Sequence, residues 1–129
     1  MGVKVVRKTP KGWGRVAELR TFLWMGEIRV DSHIPLSSLR YEALVAHEMK
    51  HWEQYKKSYW LHPLRYKMSK RYRFQVEVEA YIVQFKVMKG VPELLNEYAS
   101  YLVRDYGLNI THQIAKDALL KELGSWKTT

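Results

Sequence analysis

The chain contains no cysteine. A disulfide framework and a thiolate metal site are both excluded, so any metal it holds must be bound by His, Asp or Glu. It also lacks a long hydrophobic run. No apolar segment approaches the roughly 20 residues needed to cross a bilayer, and the opening MGVKVVRKTPKGWG has no apolar signal core followed by a cleavage site. A soluble, cytoplasmic protein without a transmembrane segment is expected. There is no internal repeat, and acids are outnumbered: 13 Asp and Glu stand against 22 Lys and Arg, for a formal net charge of +9.

What is present is a globular balance, 47% hydrophobic and 27% charged, which argues against a mainly disordered chain. A length of 129 residues suits one domain with a modest core. The first quarter reads as extended structure, with residues 3–7 and 15–34 separated by the turn chemistry of Thr9, Pro10, Lys11, Gly12 and Gly14. Within it, Glu27 to Ile34 alternates polar and apolar side chains, the pattern of a half-buried strand. After Pro35 the periodicity turns helical. Helices are predicted over about 38–57 with Ser37 or Ser38 as N-cap, 67–89 with Gly90 as stop, 93–105 before Gly107, and 111–123 from Thr111 to Gly124. Tyr59 to Met68 reads as an aromatic and basic connection containing Pro63. The piece FQVEVEAYIV also carries strand-like alternation, but the Gly-Val-Pro that follows favours a helix. The fold class expected is α+β, mostly helical.

Chemistry enters with VAHEMKHWEQY, residues 45–55. On a helix, His47 and His51 lie one above the other and can reach a single ion from one side, while Glu48 projects at the edge of that face. This is the HExxH arrangement of zinc hydrolases, in which the glutamate holds water and accepts its proton. A structural or accidental pair is the competing reading of five letters. A catalytic zinc usually has three protein ligands, so a third must come from downstream, and Glu77, Glu79 and His62 are the candidates. A glutamate on a second, antiparallel helix can return over the histidine pair.

HEMKH followed by EVEAY resembles the gluzincin metallopeptidases over about residues 27–85, and the small size resembles the minimal, single-domain gluzincins. The resemblance implies a zincin-like core, with a small N-terminal sheet over the HExxH helix and one zinc ion on His47, His51 and Glu77. Glu79 is the alternative ligand. It also implies peptide-bond hydrolysis, with Glu48 taking the proton of a zinc-activated water and passing it to the leaving amine. The edge strand of the sheet would pair with an extended peptide or protein substrate, a role that would fall to Glu27–Ile34. Tyr81 stands where many relatives carry an acid that orients a ligating histidine. Its hydroxyl could bond a ligand or steady an oxyanion, or it could be a core tyrosine. Gln54 could orient a ligand or face solvent. His33, His62 and His112 read as surface or satisfied polar residues.

Two further functional readings compete with the peptidase. One is an inactive or latent zinc-binding protein of the same fold, with the tail GSWKTT as a candidate plug. The other rests on the segment from Lys50 to Arg73, where eight Lys and Arg face the single acid Glu53, interleaved with Trp52, Tyr55, Tyr59, Trp60, Tyr66 and Tyr72. Such a segment could bind nucleic acid, by stacking and phosphate contacts, or an anionic surface.

Overall fold

A computed structural model describes residues 2–8, 16–22 and 25–127. The expected turn over Thr9–Gly14 and the last two residues of the tail lie outside them. Three strands, β1 (Val3–Arg7), β2 (Ala17–Phe22) and β3 (Met25–Val30), precede five helices: α1 (Leu39–Ser58), α2 (Leu61–Met68), α3 (Lys70–Val87), α4 (Glu93–Asp105) and α5 (His112–Lys127). The protein is α+β and mostly helical.

The strands form one sheet in the order β1-β3-β2, with β3 parallel to β1 and antiparallel to β2. This corrects the role expected for Glu27–Ile34. As the central strand, β3 has both edges paired, and it ends at Val30. There Asp31 turns the chain: its carboxylate accepts from the His33 N–H at 2.9 Å and its carbonyl from the Ile34 N–H at 3.0 Å. The edge strand beside the helices is β2.

Ser38 starts α1 and Ser69 starts α3, each hydroxyl accepting a backbone N–H three residues on at 3.1 Å. The Ser69 cap moves the start of α3 later than the expected residue 67 and releases residues 61–68 to form a helix of their own. Pro63 is accommodated in its first turn, where its missing N–H costs nothing. At the other end, α5 passes through Gly124 instead of stopping before it, which places residues 124–127 of the candidate plug in a helix.

Two apolar cores result. One packs Ala17, Ile28 and Val30 of the sheet, with Ile34 of the following turn, against Tyr41, Leu44, Val45 and Met49 of α1. The other joins Val78, Ile82 and Phe85 of α3 to Leu95, Tyr98, Leu102, Ala115 and Leu119 of α4 and α5. Helices α1 and α3 lie between them and pack on each other. Because α3 has neighbours on nearly every side, its buried residues run Val76, Glu77, Val78, Ala80, Tyr81, Ile82 and Phe85. A helix packed on most of its sides shows no clean stripe, which accounts for the strand-like alternation in its sequence.

The seat of α1 on the sheet depends on Gly26 of β3. A Cβ there would lie 2.8 Å from two ring carbons of the buried Trp52. Gly26→Ala is expected to destabilise the fold by about 1–3 kcal/mol, because neither strand nor indole can retreat; urea denaturation of the two proteins measures it.

Candidate metal centre

Helices α1 and α3 bring His47, His51 and Glu77 together, with one donor atom from each within 4.8 Å of the others. This group could hold a metal ion. Both imidazoles aim Nε2 at the same carboxylate oxygen: Glu77 Oε1 is 3.3 Å from His47 and 3.1 Å from His51. Glu48 Oε2 stands 3.9 Å from His47 Nε2. His47, Glu48 and Glu77 are all buried.

The opposite ring nitrogens are held by two glutamines. His51 Nδ1 lies 2.8 Å from Gln54 Oε1 and His47 Nδ1 lies 2.9 Å from Gln84 Oε1. The orientation of Gln54 is fixed independently, because its amide nitrogen donates to the Val76 carbonyl at 3.0 Å and to Glu79 Oε1 at 3.2 Å. Its oxygen must therefore face His51, and His51 Nδ1 must donate. Gln84 is likewise engaged from a second side by the Tyr98 hydroxyl. With both Nδ1 atoms donating, the Nε2 atoms are left to face Glu77. A lone pair cannot rest about 3 Å from a carboxylate oxygen without a cation between them, either a proton or a metal.

The electrostatics agree. Burial works against a charged His51, but the charge and hydrogen bond of Glu77, then the charge of Glu48 and the Gln54 contact, outweigh it and raise the imidazole to about 9. Burial would likewise raise the Glu77 carboxyl, yet the His51 charge and hydrogen bonds from both histidines hold it well below the usual carboxylate range. The other Glu77 oxygen accepts the Tyr66 hydroxyl of α2 at 2.5 Å.

Glu79, the alternative ligand, is turned away and accepts from Gln54 and Gln75. Tyr81 does not bond a ligand through its hydroxyl. That group meets the Tyr106 hydroxyl at 2.7 Å, and the Tyr81 ring packs edge-on against His47, centroids 4.6 Å apart. The histidine-orienting part expected of an acid at this point falls to Gln84, one turn further along α3. Gln54 is buried, contrary to a solvent-facing reading. His33 is exposed and pairs with Asp31, and His112 reaches the Asn96 carbonyl at 3.2 Å.

No protein-family model, curated protein or solved structure matches this chain. Its chemistry is therefore read from geometry.

A cleft opens on both sides of the triad. The larger lobe, about 790 Å³, is lined by Val16, Ala17, Arg40, Tyr98, Tyr101 and Tyr106 among others, and the smaller, about 250 Å³, by Glu18, Leu19, Thr21, His62, Pro63 and Tyr66. Glu48, His51 and Glu77 line both. His62 is thus a wall of the cleft and not a surface residue. It is buried, its Nδ1 lies 2.7 Å from the Tyr72 hydroxyl, and burial together with the charge of His51 lowers it to about 4.

Sequence spacing could have found Gln84, since Glu77, Tyr81 and Gln84 sit at i, i+4 and i+7 of one helix. Nothing local marks Tyr66, whose contact depends on where α2 is placed.

Two outcomes are expected. Replacing Gln54 or Gln84 by Leu frees an imidazole, and any metal held by the triad should then bind about 10–100-fold more weakly, read by competition with a chromogenic chelator. Below pH 6.5 the unfolded chain protonates His62 while the folded chain does not until about 4. Stability is therefore lost as pH falls through that window. His62→Asn should show a shallower fall of Tm between those values than the wild type.

Proposed function

We propose that this protein is a zinc-dependent metallopeptidase of the minimal gluzincin type, with a zincin-like core, acting on extended peptide or protein segments. The observation that carries the reading is the convergence of His47, His51 and Glu77, with Glu48 beside them, in a cleft. Such a His₂Glu set leaves a fourth position for water, and donors about 2.0–2.1 Å from a tetrahedral ion stand roughly 3.3 Å apart. The separations from Glu77 Oε1, 3.3 and 3.1 Å, fit that requirement. Zinc bound there supplies Lewis acidity toward a carbonyl oxygen and lowers the pKa of water.

The chain's own groups account for the rest. Glu48 faces both lobes and takes the proton of the attacking water on its carboxylate, then gives it to the leaving amine nitrogen. Gln54 and Gln84 keep the imidazoles aimed, and Tyr66 keeps the Glu77 carboxylate from rotating. Strand β2 runs past the site, with Ala17 in one lobe and Leu19 and Thr21 in the other. Its edge away from β3 offers backbone groups to an extended substrate, by β-augmentation.

Elemental analysis after dialysis against a weak chelator should find near one zinc per chain in the wild type and none in Glu77→Ala. Glu48→Gln should keep the zinc and lose casein cleavage by about a hundredfold or more. A wild type that cannot be loaded with zinc, or a Glu48→Gln variant as active as the wild type, overturns the reading.

A further inference from the structure

Helix α2 has two unlike faces. Inward, His62 and Tyr66, four residues apart, line the smaller lobe. Outward, Trp60, Leu64 and Met68 repeat at the same spacing and are 69%, 48% and 74% exposed, with Tyr59 and Leu61 also exposed beside them. Large apolar side chains so concentrated on one solvent face mark an interaction surface. The charges around them have one sign. Exposed Lys56 and Lys57 precede the helix, Arg65 and Lys67 lie on it, and exposed Lys70 and Arg71 follow it. The only acid in the segment, Glu53, is turned to Lys50 at 3.5 Å.

We propose that the outer face of α2 docks this protein on an anionic lipid bilayer. A short helix with Trp, Leu and Met toward the acyl boundary and Lys and Arg toward the headgroups is the make-up of an interfacial element. No helix among the described residues is long and apolar enough to cross a membrane, so the contact is with the surface. Charge selects this occupant. A second copy meeting the patch face to face would bring like charges together. A nucleic acid would need stacking platforms, but Trp52 and Tyr55 are buried, Tyr66 is committed to Glu77 and Tyr72 to His62, leaving only Tyr59 and Trp60 among aliphatic neighbours. Because the inner face of the same helix walls the smaller lobe, docking would hold that lobe beside the bilayer. The proposal does not depend on peptidase activity.

Co-sedimentation with phosphatidylcholine vesicles, with and without phosphatidylserine, tests it on the full chain, alongside a single-stranded oligonucleotide. Binding to the serine-containing vesicles is expected. It should weaken about tenfold or more in Trp60→Ser with Leu64→Ser, and about tenfold or more in Lys57→Glu with Lys67→Glu. Both double variants alter exposed side chains, and unchanged zinc content and thermal melts confirm that they fold. No binding to anionic vesicles, binding that ignores the apolar substitutions, or tighter binding to the oligonucleotide overturns the proposal.

Discussion

A single carboxylate oxygen, Glu77 Oε1, sits between two imidazoles in a buried site, and the rest of the structure is arranged to make that tolerable. An isolated charge there would be expelled. It persists because His47 and His51 both point at it and Tyr66 occupies its other oxygen. Those imidazoles are in turn held from behind by Gln54 and Gln84, and Gln54 is anchored to the backbone of α3. Apart from the His51–Gln54 bond within α1, the polar contacts in this chain of dependence join α1 to α3 or α2 to α3. The site is therefore also the polar seam that sets the register of the helices.

That seam is flanked by two apolar cores, one under the sheet and one among α3, α4 and α5. Packing on both sides buries the hydrogen bonds behind the imidazoles and makes the choice of partners there consequential. It also explains why glutamine suffices behind each histidine. A neutral amide fixes the tautomer without adding another carboxylate beside the buried Glu77 and Glu48.

The cleft borrows its walls from elements with other duties. Strand β2 completes the sheet and passes both lobes, while α2 gives His62 and Tyr66 to the site and an apolar, cationic face to solvent. In the proposed reading, the same short helix shapes the cleft and sets where the protein rests.

By itself the sequence determined the helix carrying HEMKH, a serine cap at position 37 or 38, the α4 boundaries and the α+β class, because capping, Gly and Pro signals and a strong local period act over a few residues. It also placed His47, His51 and Glu48 on one face, since that follows from helical pitch alone. Local patterns did not reveal that β3 would be central and β2 the edge, because strand order depends on which strand returns beside which. The α2 helix was hidden in an aromatic, basic connection whose role is set by packing on α3. The convergence of Glu77, the commitment of Gln54 and Gln84 and the turning of Tyr81 toward Tyr106 were decided only by the tertiary structure. Each joins residues far apart in the chain: the packing of α1 against α3 brings the first three within hydrogen-bonding distance, and the placing of the end of α4 beside α3 brings the last.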